Sequence, residues 1–344
     1  MFSARRTVRP ARSLCRWEPV QNGIRLTDLA NRTSRAPFST SHRCGVPLPV
    51  RKAPPSFAKA RFSRMEVPQL AFFEDAAKPS LASGLDPQEC FRSAHAYVDL
   101  AVADNPGWRD SLRDPPHSLS YATLHYIAVM IMNGPPGPAF NIATHIYHTL
   151  TMANYAPSIL TVVRLALMRK MLGQPQFSQA QDKFTLMARR KDDPNACTLQ
   201  GLILSAKTTP ETDREALQWF RTAASLAGEE PGAWEWQASC ALEMGKIYLR
   251  LKQNDRAKAI WRYCAQDLDI AEGCWLYSTL LEPSDPEKYI MVRKAAVSGI
   301  PQAAQEMAIL DDPSVEGSEG GGSSSWDIKA SNVFKKEWQA IAGA

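Results

Sequence analysis

The stretch ALQWFRTAASLAG at residues 216–228 decides the fold. Three large apolar residues, Leu217, Trp219 and Phe220, lie near its start, whereas two alanines and a glycine lie near its end. Two helices pack closely only where bulky residues on one meet small residues on the other. Glycine is also the residue that most often ends a helix. The stretch therefore predicts a wedge-shaped helix that stacks on similar helices.

The same pattern occurs at four other places in the chain. The nine-residue segments ATHIYHTLT, AQDKFTLMA, ALQWFRTAA, AKAIWRYCA and KYIMVRKAA begin at residues 143, 180, 216, 257 and 288. Their fifth residues are Tyr147, Phe184, Phe220, Trp261 and Val292, and the intervals between them are 37, 36, 41 and 31 residues. A period of about 36 residues is typical of stacked helical hairpins. The pattern therefore predicts an all-α fold.

A second set of apolar segments alternates with these helices. They cover residues 124–132, 159–168, 196–204, 240–249 and 304–310, and turn-forming segments such as NGPPGP, KDDPN and EPSDPE separate the helices. The order is therefore helix, turn, helix, turn. We expect the small residues that receive the aromatic side chains to be two alanine pairs, Ala223–Ala224 and Ala295–Ala296.

Four of these segments together carry a family resemblance. ALQWFRTAASLAG, CALEMGKIYL, DRAKAIWRYCA and DPEKYIMVRKAAVSGIPQAA resemble Sel-one-like repeats, a subfamily of the tetratricopeptide superfamily. Gly245 and Tyr248 match the Leu-Gly-x-x-Tyr run of that pattern. The resemblance is good for residues 213–310 and weaker for residues 118–208. It implies a right-handed α-solenoid of stacked antiparallel helical hairpins, a tetratricopeptide-like superhelix.

The resemblance also implies a way of acting. Proteins of this family bind other proteins on the concave face of the solenoid, and the pattern brings no catalytic residue. The chain departs from the pattern at Asn154, which replaces a glycine, and at Lys288, which replaces the first alanine. Our candidate protein-binding residues are Arg164, Tyr248, Trp261 and Trp275. For each aromatic residue the alternative is core packing, and for Trp261 core packing is favoured.

Charge separates the N-terminus from the rest of the chain. Residues 1–64 hold 14 basic and 2 acidic residues, a net charge of +12, whereas the remaining residues have a net charge of −7. The segment is rich in Arg, Ser and Thr and has no apolar core of the secretory kind, so residues 1–45 look like a cleaved mitochondrial presequence. We expect the protein in the matrix or on the matrix face of the inner membrane. The alternative is a solvated basic tail that binds nucleic acid or anionic lipid.

The remaining segments complete the predicted organisation. Residues 46–85 are Pro-rich and are expected to be a disordered or extended linker before a helical-repeat region at 86–310. Residues 311–325 are a flexible Gly/Ser-rich acidic linker, and residues 326–344 are an amphipathic helix. Its apolar face carries two further candidate binding residues, Phe334 and Trp338. We expect this helix either to cap the last repeat or to anchor a partner or a membrane surface. No window has the ~18 consecutive apolar residues of a membrane span.

The sequence offers little for catalysis or for metal binding. Seven cysteines form no CxxC pair and are expected to be reduced, buried thiols. His145 and His148 lie three residues apart, with His125 on the preceding helix, but no Cys, Asp or Glu lies near them in sequence, so polar contacts are favoured over metal binding. We find no nucleophile–base pair, phosphate loop or dinucleotide fingerprint, and we expect no enzyme and no cofactor.

We expect one of two functions that need no catalysis, and the charge distribution suggests the second of them. We expect a protein-binding scaffold whose partners are subunits or assembly factors of an inner-membrane respiratory complex, since the resemblance implies such a role for a mitochondrial protein. Residues 115–191 have a net charge of +6, whereas residues 192–319 have a net charge of −9. The alternative is therefore a mitoribosome-associated protein or RNA-binding translational activator that uses Arg189, Arg190 and Lys191. An enzyme, the third possibility, would need a closed pocket.

Overall fold

A computed structural model describes residues 60–77, 85–228, 230–310 and 325–343, and side chains throughout these ranges except at 325–332. All of them belong to one compact unit, Ala53–Ala344. The predicted presequence and residues 311–324 of the predicted 311–325 linker lie outside the described residues. In these ranges the chain forms helices and no strand. The α-helices are α1 Leu70–Ala77, α2 Pro87–Ala103, α3 Tyr121–Asn133, α4 Ala139–Met152, α5 Ala156–Met168, α6 Ser178–Arg190, α7 Pro194–Ser205, α8 Pro210–Ala227, α9 Gln237–Arg250, α10 Asn254–Gln266, α11 Ala271–Ser278, α12 Pro286–Val297, α13 Pro301–Leu310 and α14 Ser325–Gly343.

Helix starts follow the local chemistry of the sequence. Four helices, α2, α7, α8 and α12, begin with a proline that follows a polar residue whose side chain accepts a backbone N–H; these residues are Asp86, Asp193, Thr209 and Asp285. Proline fits this position because its missing N–H would have no partner there, and the polar cap satisfies one of the free donors. At the end of α4, Asn154 has φ +58°, a conformation that asparagine tolerates better than most residues. Asn154 thus replaces the expected glycine without breaking the turn.

Consecutive helices pack on one another from α1 to α13, and α14 packs on α13. The prediction of an all-α fold is therefore confirmed for the described residues. Contacts also join α5 to α7 and α7 to α9, which places these three helices side by side. α7 and α11 contain no exposed residue, and in α5 and α9 only the C-terminal ends are exposed. We call α5, α7, α9 and α11 the inner helices and α6, α8, α10 and α12, which each present exposed residues, the outer helices.

The buried side chains form three successive clusters. The N-terminal core lies among α1–α4, the middle core among α5–α7, and the C-terminal core extends from the end of α7 to α14. One loop residue, Trp236, precedes α9 and packs in the middle core. A series of cores, each shared by neighbouring helices, is the arrangement expected when hairpins stack in chain order.

Two glycines of the inner helices lie directly against aromatic rings of the outer helices. A Cβ atom added to Gly201 would lie 2.5 Å from Cε1 of Phe220, and one added to Gly245 would overlap the indole of Trp261. Glycine is needed here because any side chain would force the two helices apart. The expected alanine pairs are at least partly buried, but the residues against these two rings are glycines, which allow a closer approach than alanine.

An ion network joins α7, α8 and α9. Asp213, only 2% exposed, receives two hydrogen bonds from Arg250, at 2.9 Å from Nε and 2.7 Å from Nη2. Nη2 also donates to Ser205 Oγ at 2.9 Å, and Nη1 lies 3.6 Å from Glu243. Bidentate contact with a carboxylate is the strongest pairing open to arginine, and it raises the pKa of Arg250. The buried carboxylate is thus fully paired.

Both ends of the described chain bury side chains in a core. Residues 60–77, expected to be disordered or extended, instead contain the 3-10 turn Arg64–Glu66 and helix α1. The prediction was wrong here because Phe62, Val67 and Phe73 are buried in the N-terminal core. At the other end α14 buries Trp338 in the C-terminal core. None of the described helices combines the length and the apolar content that a membrane span requires.

Candidate protein-binding site

The inner helix α5 presents Arg164 in a partly buried position beside α9. The Arg164 guanidinium lies over the ring of Trp236, with Cζ 4.7 Å from the ring centroid, and Nη2 donates to Ser239 Oγ at 2.9 Å. Burial lowers the pKa of Arg164, and the neighbouring Glu235 carboxylate partly offsets this shift. Arginine stays charged under all such conditions. The site therefore holds a fixed cation on an aromatic ring.

Two tyrosines lie beside the ring of His125. Burial raises the pKa of Tyr155, and electrostatic interactions with Tyr126 and Glu235 raise it further. Tyr126 is 43% exposed. The ring of His125 contacts both tyrosines edge-on, with ring centroids 5.9 Å and 5.8 Å away. We call Tyr126, Tyr155, Arg164, Glu235 and Trp236 the inner-face site.

This composition suits protein recognition. Tyr, Trp and Arg dominate the binding energy of protein interfaces because they combine large apolar surface with a polar tip or a charge, and their rings cost little entropy to order. Of these five residues the sequence predicted only Arg164. The segment GAWEWQ at 232–237, with two tryptophans around an acid beside a Gly/Pro turn, was the signal that sequence reasoning passed over.

The structure separates the predicted aromatic residues by burial. Trp261 is 1% exposed, and its Nε1 donates to the Leu242 carbonyl at 3.3 Å. It therefore has no atom to offer a partner, and its prediction as a binding residue is corrected to a core role. Tyr248 is also buried, so only its hydroxyl, which accepts from Arg221 Nη2 at 3.2 Å, has a polar role. Trp275 on α11 is partly buried against the C-terminal core.

The two predicted residues of α14 point to different environments. Trp338 is 9% exposed and belongs to the C-terminal core, whereas Phe334 is 51% exposed. The expected apolar face carried Phe334 and Trp338, but of these two only Trp338 packs on the core, together with Ile341. α14 therefore covers α13 with one face, as the capping prediction requires, and Phe334 stays available for contact.

The predicted basic segment ends α6. Arg189, Arg190 and Lys191 are all exposed. Arg190 Nε lies 3.3 Å from an exposed Asp192 carboxylate oxygen, and Lys191 Nζ lies 4.7 Å from the ring centroid of Trp219. Exposed pairs of this kind contribute little energy, so these cations can turn to another anion.

The histidines are engaged in polar contacts inside the N-terminal core. His125 Nδ1 lies 2.9 Å from Ser158 Oγ, and His145 Nδ1 lies 2.7 Å from the Tyr97 hydroxyl. Burial lowers the pKa of His125 and of His145 to about 4, and Arg109 and His148 contribute to the second shift. Over the ranges that the structure covers, no three His, Cys, Asp or Glu side chains are grouped to hold a metal ion.

A small apolar pocket lies between α4, α5 and α6. It has a volume of about 130 Å³, and Tyr147, Val162 and Leu165 contribute to its wall. His148 and Arg169 also line it. It can accept one apolar side chain, but it brings no nucleophile and base together. Five cysteines of the described chain are free and buried, and burial raises the pKa of Cys240 and Cys264 to about 12, so these thiols are poor nucleophiles.

Comparison of the chain with models of known protein families, with curated proteins and with solved structures found no match. The inner-face site therefore rests on its own geometry. That geometry is a cation on α5 stacked on an indole of the loop before α9, an acid in the same loop and an exposed tyrosine on α3.

Proposed function

We propose that this protein is a non-enzymatic mitochondrial scaffold, an assembly or maturation factor for an inner-membrane respiratory complex. In this proposal the described helices belong to a right-handed α-solenoid of tetratricopeptide-like hairpins, and the inner helices line its concave face. The presequence-like composition of residues 1–45 supports a location in the matrix or on the matrix face of the inner membrane. The client class rests on the resemblance to Sel-one-like repeats.

The observation that carries the proposal is the inner-face site. The helices around it pack on each other through glycines and aromatic residues, and α7 and α11 show no exposed residue. Yet Tyr126 stays 43% exposed, and in the same site the Arg164 guanidinium is stacked on Trp236. Exposed aromatic residues beside a positioned arginine are characteristic of protein-binding hot spots.

The test is affinity purification from gently solubilised mitochondria with a matched pair of variants. We expect the wild-type protein to recover respiratory subunits or their assembly factors, with or without ribonuclease. Tyr126→Ala should lower that recovery at least fivefold. The control is Tyr289→Ala on α12, which removes a tyrosine of similar exposure, 41%, and should leave recovery unchanged. Recovery of no respiratory protein, or equal losses for both variants, would remove the proposal.

The second candidate function is RNA binding, which the exposed Arg189, Arg190 and Lys191 favour. Binding through these residues would weaken steeply as salt rises, because each phosphate contact releases a counterion. Changing all three to glutamine should then reduce RNA affinity and flatten the salt dependence. Ribosomal proteins or transcripts that disappear with ribonuclease would favour this candidate over the scaffold.

A further inference from the structure

A basic pocket lies between the outer helices α8 and α10, away from the inner-face site. Its volume is about 280 Å³. Three arginines and two glutamines line it above the apolar Leu217 and Leu251; we call Arg214, Gln218, Arg221, Gln253 and Arg256 the arginine pocket. The three residues from α8 are spaced i, i+4 and i+7, so they share one face of that helix.

Tyr248 organises two of the three guanidinium groups. Its hydroxyl accepts a hydrogen bond from Arg221 Nη2 at 3.2 Å, and Arg256 Cζ lies 5.8 Å from the centroid of its ring. Arg256 Nη1 also donates to Gln253 Oε1 at 2.9 Å. Because Tyr248 is itself buried, it holds both cations on the same side of α9.

Among the described residues, the arginines of this pocket have no strong anionic partner. Across the residues with described side chains, neither Arg221 nor Arg256 forms an ion pair, and Arg214 reaches only the exposed Glu211, at 4.0 Å. The surrounding sequence is acidic, with 12 basic against 21 acidic residues between 192 and 319. Three arginines lining one pocket repel one another, and an anion bound there would relieve the repulsion.

We propose that the arginine pocket binds a phosphate monoester carried by a protein partner. A phosphorylated side chain brings nearly two negative charges and three acceptor oxygens, which suit several guanidinium groups better than one carboxylate does. The amide groups of Gln218 and Gln253 can donate to the same oxygens or to the adjoining peptide. An extended RNA would also meet the net negative charge of residues 192–319, whereas a single phosphate group would contact mainly the arginine pocket.

This inference rests on the proposal that the protein binds other proteins, but it uses a different face. The two can fail separately, since Tyr126→Ala tests the inner-face site and leaves the arginine pocket intact. Conversely, changes at Arg221 and Arg256 leave the inner-face site intact.

The test measures binding of three peptide pools to the purified protein by fluorescence anisotropy. The pools share degenerate flanking residues and differ only at one fixed position, which is phosphoserine, serine or glutamate. We expect the phosphoserine pool to bind at least tenfold more tightly than the other two, and inorganic phosphate to displace it. Equal binding of the glutamate pool, tighter binding of a single-stranded RNA oligonucleotide, or no preference for phosphoserine would overturn the proposal.

Variants assign the binding to the pocket. Arg221→Gln and Arg256→Gln should each weaken binding of the phosphoserine pool about tenfold, and Tyr248→Phe, which keeps the ring but loses the hydroxyl, about threefold. The control is Arg262→Gln, an exposed arginine of the same helix α10 whose Nε bonds Gln266 instead. It should change binding less than twofold. Circular dichroism establishes that each variant folds, and an equal loss in the control variant would refute the assignment.

Discussion

The N-terminal and C-terminal cores are both made of packed helices, but they fill their interiors differently. In the N-terminal core, buried rings also make hydrogen bonds: the Tyr97 hydroxyl lies 2.7 Å from His145 and donates to Thr149 at 2.9 Å. In the C-terminal core, Trp261 packs against Gly245, and the main polar cluster is the Arg250 network at the ends of α7, α8 and α9. One core depends on interior polar groups, and the other depends on close backbone approach.

This difference explains why the sequence repeat is clear in one region and weak in the other. Close approach of two helices demands a glycine and an aromatic ring at fixed places, so it repeats in the sequence. A buried hydrogen-bond network instead needs one particular set of partners, and those partners differ from helix to helix. The two cores should accordingly fail under different conditions.

The largest expected effect is that the N-terminal core loses stability at acidic pH. The pKa of His125 and of His145 falls from 6.5 to about 4 on folding. The unfolded chain therefore binds more protons below pH 6.5, and stability that is present above this value is lost as the pH falls towards 4. At pH 4.5 the loss should be roughly 5 kcal/mol for the two histidines together. Hydrogen exchange should show α2–α4 losing protection between pH 7 and pH 4.5 while α8–α10 keep theirs.

A variant gives the control for the acid effect. His145→Gln lowers stability at pH 7 but should roughly halve the part of the further loss between pH 7 and pH 4.5 that His125 and His145 cause, because one of their two depressed pKa values is gone. Equal loss of protection in both cores would mean that other groups, not these histidines, cause the acid effect.

The next largest effect belongs to the C-terminal core. Trp261→Ala should lower the free energy of unfolding by about 4 kcal/mol, because it leaves a cavity where a fully buried indole was. Gly245→Ala should cost about 2 kcal/mol alone through overpacking, yet become neutral or stabilising when combined with Trp261→Ala. Guanidinium denaturation of the single and double variants measures this coupling. Additive losses would show that the indole and Gly245 do not compete for the same space.

These residues also show how much of the fold could be predicted from the sequence. The five nine-residue segments all lie in outer helices or in α4, and each fifth residue is buried. Burial follows from periodicity, so this much could be predicted. The partner of Trp261 could not be read as Gly245 rather than an alanine pair, because backbone approach depends on how two helices cross. Helix α11 was missed because its eight residues, Ala271–Ser278, are too short to show a helical period.

The candidate site was harder to predict than the fold. Arg164 was identified, but the site also needs Trp236 and Glu235, which lie in a loop 72 and 71 residues further along the chain. A single sequence holds no information on such a long-range contact. Trp261 was retained as a candidate binding residue, although core packing was favoured, for a related reason: an aromatic residue in a repeat serves the core or a partner, and only the neighbouring helix decides between them.

A smaller loss should follow from breaking the Arg250 network of the C-terminal core. Arg250→Met leaves the buried Asp213 carboxylate without its bidentate partner and should cost about 3 kcal/mol at pH 7 in thermal or urea unfolding. Adding Asp213→Asn to this variant should recover more than half of the loss. The control is Arg214→Met, whose exposed contact with Glu211 at 4.0 Å should change stability by less than about 0.5 kcal/mol. A loss below 1 kcal/mol for Arg250→Met would mean that solvent already screens Asp213.

The smallest effect tests the link between the middle and C-terminal cores. Arg164 on α5 reaches the loop and helix α9 through Trp236 and Ser239, so it joins helices whose other partners lie in different cores. Arg164→Met keeps the aliphatic stem over the indole but loses the cation–π contact and the hydrogen bond. It should cost about 1 kcal/mol, because the guanidinium is only partly buried. The matched control is Arg169→Met, an exposed arginine at the end of the same helix, which should cost less than about 0.5 kcal/mol.

The cooperativity with which Arg164→Met unfolds tests the link between the cores more directly than its loss of stability does. If the three cores form one cooperative unit, urea unfolding followed by tryptophan fluorescence and by circular dichroism should shift together in Arg164→Met. If Arg164 is a principal connection, the two probes should separate, because the described tryptophans are distributed unevenly among the three cores whereas helix content reports on all the helices. Coincident curves in the variant would show that packing between α7 and α9 already couples the cores, and that they do not need Arg164 to unfold together.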